Sequence, residues 1–139
     1  VGAMIPFGQA LQVTGTAQWF AEGMASTFAD SSPQVLLAAL LLLAVVMTQL
    51  IENAAVAVLL APIAFALAKA AECNPAPFLL GVAICVSSAF VTPFAHESTI
   101  LVMGPGRYRF RDYVILGGPF AIITWLVTTL TLPLLMPLQ

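Results

Sequence analysis

The sequence predicts an all-α membrane protein, and three observations lead there. Of the 139 residues, 61% are hydrophobic and only 7% are charged, against about 25% charged in an ordinary soluble domain. The mean hydropathy is +1.05. Three apolar runs, 33–71, 78–103 and 114–138, are each long enough to enter or cross a bilayer, where a helix needs about 20 residues. A soluble globular domain is excluded, and so is a disordered chain, which requires low hydrophobicity and high charge. Four basic and six acidic residues leave a net charge of −2, so no field favours nucleic acid as a partner. Cys73 and Cys85 have neither metal-site spacing nor the density of a disulfide scaffold, and Cys85 reads as a small buried hydrophobe.

The first element is predicted over 7–28. Val13, Ala17, Phe20, Met24 and Phe28 recur at spacings of three and four, opposite Gln9, Gln12, Thr16 and Glu22, which is an amphipathic helical pattern. It fits a helix lying in the membrane interface. It fits equally a packed helix on the cytosolic side, because Lys and Arg are absent from its polar face.

Ser32-Pro33 then supplies a helix start, with Ser32 as cap and Pro33 at the first helical position, where its missing N–H costs nothing. A single helix over 33–71 would be about 58 Å long, nearly twice the ~30 Å hydrocarbon core. Thr48, Gln49, Glu52 and Asn53 interrupt it at the midpoint. The segment is therefore predicted to be a helical hairpin with arms at 33–51 and 54–71 and a tight tip. The alanine-rich second arm suits close helix approach within protein.

The run 78–103 would be about 39 Å as one helix, again too long. Ser87, Ser88, Thr92, Pro93, His96, Glu97, Ser98 and Thr99 crowd its centre, and Pro93 removes a backbone donor. Two half-helices are predicted, the second starting near Thr92-Pro93. Such a break is tolerated in a membrane only where it is buried in protein or lines a cavity. Arg107, Arg109 and Arg111, interleaved with aromatics, then form an interfacial belt that the positive-inside rule places in the cytoplasm. The final transmembrane helix, 114–138, bends near Gly117-Gly118-Pro119 and leaves the C-terminus outside.

The tip cluster and the helix break are the candidate site, because ionisable groups within membrane segments are costly and mark pathways by default. The bland readings stand beside it. Glu52 and Asn53 become solvated turn residues if the hairpin is two full spans, and His96 and Glu97 can serve only to bond freed backbone groups. His96-Glu97 begins like a zinc-protease motif, but His96 is the only histidine, so no zinc site can be built. No nucleophile motif or phosphate loop is present, and no enzyme or cofactor is expected.

Three stretches together resemble a known family: Thr48-Gln49-Leu50-Ile51-Glu52-Asn53-Ala54-Ala55 running into Ala61-Pro62-Ile63-Ala64, then Thr92-Pro93-Phe94-Ala95-His96, then Val102-Met103-Gly104-Pro105-Gly106-Arg107-Tyr108-Arg109-Phe110-Arg111-Asp112-Tyr113. The chain is similar to the C-terminal repeat of the divalent anion:sodium symporter family, within the ion transporter superfamily. It resembles in particular bacterial permeases that carry regulatory ligand-binding domains ahead of this segment. The resemblance implies one inverted repeat of an elevator-type transporter: interfacial helix, re-entrant helical hairpin, broken transmembrane helix and final transmembrane helix. It implies a multi-pass protein of the bacterial inner membrane, usually a homodimer, that couples uptake of sulfate or a dicarboxylate to a cation. Val1 is not an initiator and the residues after it do not form a signal peptide, so the chain is expected to be one half of a longer permease whose N-terminal repeat completes it.

Residue by residue, the resemblance places Asn53 against both substrate and sodium. Thr48, the backbone at Ile51 and the loop at Thr92 match cation ligands, and Glu52, Ala54, Thr92, Pro93 and Thr99 fall at substrate-binding positions. Two departures matter. Glu52 and Ala54 replace the serine and threonine of the family's Ser-Asn-Thr signature, and Thr99 replaces an asparagine. A carboxylate opposes an anion, so either Glu52 is protonated and carries a proton, with H+ as coupling ion in place of Na+, or the substrate is not the usual dianion. A different reading is a membrane scaffold or regulatory subunit that has kept the fold and lost transport.

Overall fold

The computed structural model describes residues 13–27 and 32–137 together with Pro6 and Ala10. Its elements are all helical: α1 (Thr16–Thr27), α2 (Pro33–Thr48), α3 (Asn53–Ala70), α4 (Pro75–Val86), α5 (Glu97–Met103) and α6 (Phe110–Leu135). Two of them, α3 and α6, are long and apolar enough to cross a membrane. The 26 residues of α6 reach about 39 Å, more than the ~30 Å hydrocarbon core. The 12 of α4 reach only about 18 Å, too short to span.

Helix α2 starts at Pro33, whose ring fits the first turn, but the Ser32 side chain makes no capping bond. It stops at Thr48 because the next polar side chains find partners elsewhere. The tip of the hairpin is the four residues 49–52, two more than the tip between arms at 33–51 and 54–71, and α3 begins at Asn53 with Glu52 as its cap. Pro62 lies inside α3 without ending it. At the far end Glu72 takes a positive φ of 53°. There the Cys73 amide donates to Ala68 O at 2.8 Å and the Glu72 amide to Lys69 O at 3.1 Å, a left-handed closure that satisfies carbonyls the helix leaves open.

The core lies where α2, α3 and α4 meet. Leu36, Leu37, Leu40, Leu41 and Ala44 of α2 pack with Val56, Leu60, Ala64 and Leu67 of α3 and with Phe78, Val82 and Cys85 of α4. The most extensive packing is between α3 and α4, α1 and α3, and α2 and α4. Helix α6 joins on one stripe only, through Gly117, Ala121, Thr128 and Leu132, the spacing of a single helix face. Gly117 is required there, because an added Cβ would overlap the Phe90 carbonyl. The rest of α6 exposes Leu116, Phe120, Ile123, Leu126, Leu130 and Leu134, a surface made for lipid or for a second apolar partner. Two of its threonines are satisfied within the helix, Thr124 donating to Phe120 O at 2.9 Å and Thr131 to Val127 O at 2.7 Å, while the buried Thr129 Oγ1 has no partner among the described residues.

The broken element differs in its second half from the sequence expectation. Residues 87–96 are unwound, and α5 starts at Glu97, not at Thr92-Pro93. The cause is partly tertiary, because the Thr92 hydroxyl is bonded to the hairpin tip at Gln49 O, and partly local, because His96 caps the start of α5 by accepting the Ser98 amide. Likewise α6 starts at Phe110, ahead of Val114, because Asp112 Oδ2 accepts the Arg109 amide at 2.7 Å. It runs without interruption past Gly117-Gly118 and through Pro119 and Pro133. Of the segment predicted at 7–28, α1 covers 16–27, and much of the remainder lies outside the described residues.

Candidate functional site

The hairpin tip and the unwound segment 87–96 face each other, and side chains of one supply partners to the backbone of the other. Thr48, at the last turn of α2, is fully buried at 0% exposure. Its Oγ1 lies 2.7 Å from Asn53 Oδ1 and 2.7 Å from Val86 O. A hydroxyl has one proton, so three oxygens share it.

Gln49 makes the most connections. Its Nε2 donates to Val45 O at 2.9 Å and to Ser88 O at 2.8 Å, and its Oε1 accepts the Val91 amide at 3.0 Å. Its own backbone carbonyl accepts the Thr92 hydroxyl at 2.6 Å. Farther along the break, Thr99 Oγ1 lies within donating distance of Pro93 O at 2.8 Å and His96 O at 2.6 Å. His96 Nδ1 accepts the Ser98 amide at 3.3 Å and sits 2.8 Å from Ser98 Oγ. The acceptor role at Nδ1 leaves the ring proton on Nε2. Behind this layer the Tyr113 hydroxyl of α6 donates to Thr99 O at 2.9 Å.

A cleft of about 270 Å³ opens between the tip and the break, lined by Asn53, Ser87, Phe90, His96, Ser98 and Thr99. A second cavity of about 490 Å³ between α5 and α6 is larger but apolar, walled by Phe90, Val102, Leu116 and Phe120. Convergent polar groups mark a specific ligand site more than volume does, so the smaller cleft is the candidate. Among the described residues no group of His, Cys, Asp or Glu is arranged to hold a metal ion.

The residues singled out in the sequence fall into two sets. Thr48, Asn53, Thr92, Pro93 and Thr99 come together around the tip and the break; Pro93 is buried and takes part through its carbonyl. Glu52, Ile51 and Ala54 sit on the tip and the first turn of α3. Glu52 and Ile51 are exposed, and the two Glu52 carboxylate oxygens accept the Ala54 and Ala55 amides at 3.1 Å each. Gln49 belongs to the tip cluster read from the sequence but is given no individual role there. The signal was present, since a neutral amide beside Thr48 within an apolar run needs three or four partners.

The family model for the sodium:sulfate symporter transmembrane region matches residues 1–136. The chain belongs to that family. Uncharacterized transporter YfbS of Escherichia coli (strain K12) is 42% identical over 134 residues, covering 96% of this chain and 22% of the relative. Uncharacterized transporter sll0640 of Synechocystis is 34% identical over 139 residues, covering 100% of this chain and 23% of the relative. Sodium/sulfate cotransporter 2 of Chlamydomonas reinhardtii is 28% identical over 128 residues, 91% of this chain and 14% of the relative. The chain thus spans less than a quarter of the length of these curated relatives.

Proposed function

We propose that this chain is the C-terminal repeat of a cation-coupled symporter that takes up a small divalent anion, sulfate or a dicarboxylate, across a bacterial inner membrane. The observation that carries the reading is the oxygen cluster of Thr48, Asn53 and Val86 at the tip, where three oxygens share one proton. Such a cluster is short of positive charge, and a hard cation with oxygen ligands supplies it. Thr48, Asn53 and the Val86 carbonyl, with the Ile51 carbonyl and Thr92, are the cation ligands in this proposal, with Na+ as the coupling ion in line with the sodium/sulfate cotransporters of Chlamydomonas. Asn53, Thr92, Pro93 and Thr99 meet the anion across the cleft. The hairpin is re-entrant, with its tip near the bilayer midplane and both its ends on one face. An inverted N-terminal repeat supplies the opposing half, and two such permeases pair as a homodimer working by an elevator motion. The Arg107–Arg111 segment faces the cytoplasm.

Glu52 and Ala54 occupy the substrate positions least suited to a dianion. The Glu52 carboxylate already takes two amides at the start of α3, a place where a helix otherwise welcomes a bound anion. That favours a second reading in which the fold persists as a scaffold without transport; a Glu52 that carries a proton would have to give up one of these two bonds on protonation. The experiment is gradient-driven uptake of labelled sulfate and succinate by the whole permease in proteoliposomes. Cation-dependent uptake that Asn53→Ala reduces by at least about 100-fold supports the symporter. Uptake indifferent to both Na+ and pH, or unchanged by Asn53→Ala, overturns it. Glu52→Gln separates the alternatives: exchange retained with loss of pH-driven accumulation identifies a proton carrier, and improved anion affinity identifies a carboxylate that only repels.

A further inference from the structure

We propose that Gln49 is a positioning residue, the weld that holds the hairpin tip and the unwound segment as one rigid body so that the oxygens of Thr48, Asn53 and Val86 keep a fixed spacing. This inference rests on the cation site proposed above, but Gln49 is not itself a ligand in it.

The argument starts from what a helix break costs. Segment 87–96 lies between α4 and α5 with its amides and carbonyls outside any helix, and in an apolar surrounding each unpaired backbone group costs several times more than in water. Gln49 supplies partners at both ends of the gap. Its two Nε2 protons meet two carbonyls, Val45 O at the end of α2 and Ser88 O in the break, and its Oε1 meets an amide, Val91. The amide orientation is thereby fixed, because a carbonyl can only accept and a backbone N–H can only donate. With Thr92 bonded to the Gln49 carbonyl, one residue connects the tip to Ser88, Val91 and Thr92, which lie just beyond the Val86 carbonyl. Thr48, the next residue back, reaches that carbonyl and Asn53. Any change in the spacing between tip and break therefore moves one cation ligand relative to the others. Glu and Asp cannot take this role when ionised, having no donors for Val45 and Ser88. An apolar side chain would leave the Val91 amide without its acceptor and take a donor from the Val45 and Ser88 carbonyls, of which Ser88 O keeps the Phe90 amide.

The test uses the whole permease, with Gln49→Met as an apolar replacement of similar volume and Gln49→Glu, which keeps the acceptor and loses both donors. Amide hydrogen exchange in the wild type comes first. The Val91 amide, outside any helix, is expected to be protected, and exchange as fast as in an exposed loop overturns the weld without any variant. In both variants, exchange over 88–92 is expected to accelerate by about tenfold or more. In uptake, the half-saturating Na+ concentration should rise about 10- to 100-fold, as when an outer-shell partner of a metal site is removed, while the rate at saturating Na+ stays within about threefold of the wild type. Faster exchange with unchanged half-saturation overturns the positioning role, and so does a fall in maximal rate alone. A variant that does not insert leaves the wild-type exchange measurement and the other variant to decide. If the wild type shows no cation dependence, the symporter reading fails and takes the cation part of this proposal with it, while hydrogen exchange still decides the weld.

Discussion

At the hairpin tip, Thr48 and Gln49 bond residues far away in the chain, whereas two threonines of α6, Thr124 and Thr131, bond only the preceding turn of their own helix. Thr48 and Gln49 reach partners 38 to 43 positions distant, but Thr124 and Thr131 reach back four. The first arrangement joins two elements and exists only once both are in place. The second leaves α6 free of obligations, held to the core by a stripe of small residues, by the Trp125 indole donating to Ala38 O at 2.9 Å and by an edge contact of Phe120 with Phe90 at 6.4 Å. Polar residues of similar type thus act as connectors in one region and as lipid-compatible side chains in the other.

The comparison can be broken most sharply where the two regions touch. Gly117→Val places a branched side chain against the Phe90 carbonyl, and since backbone cannot yield as a side-chain tip does, a loss of about 3 kcal/mol or more is expected. Thermal unfolding of the whole permease in detergent should register it, and a melting temperature equal to that of the wild type would show that α6 does not approach the break this closely. Next in size is one substitution made in both regions. Thr48→Val removes the only proton among three oxygens and should cost about 1–3 kcal/mol, while Thr131→Val should lie within about 0.5 kcal/mol of neutral. Equal effects at the two positions would erase the distinction drawn between them.

The smallest effect lies outside the helices. Burial first, and the Glu72 carboxylate beside it second, push the Cys73 thiol above its ordinary value. Only the thiolate reacts with maleimide, so labelling of Cys73 at neutral pH should be slower than that of a free thiol. The rate should rise steeply with pH and level off later than for the free thiol. Glu72→Gln removes the lesser cause and should shift the curve part of the way back. A labelling curve coincident with that of a free thiol would contradict the half-buried position.

What was legible in the sequence follows the same division. The all-α class was readable from composition and run length, since apolar runs of this length have few alternatives in a bilayer. That 33–71 and 78–103 are each too long for one helix was also readable, because length against bilayer thickness is simple arithmetic. The start of α5 was not. Pro93 marks a break but does not say on which side the helix resumes, and the decision at Glu97 rests on Thr92 and His96 finding partners in space. Glu52 was conspicuous as a carboxylate replacing a family serine, yet its capping of Ala54 and Ala55 depends on backbone directions that spacing alone does not fix. The role of Gln49 was hidden for the complementary reason, for although it stood in the tip cluster it has no charge, and its importance lies in where Ser88 and Val91 arrive.

The self-bonded threonines of α6 bear on how the chain is made. Hydroxyls bonded within their own helix carry no hydrogen-bonding debt to the lipid, so at Thr124 and Thr131 α6 can leave the translocon sideways as if they were valines, while Tyr113 and Trp125 find their partners only when α5 and α2 are beside it. The tip has no such independence. Until residues 88–92 have been synthesised and brought beside it, Gln49 has nothing to bond beyond its own helix. Integration of α6 from a host protein, scored by glycosylation, should therefore proceed without the rest of this chain, and failure to integrate alone would show that its threonines are not masked. The partners that the tip needs beyond its own hairpin, at 86–92, come only after the whole of α3 has been made.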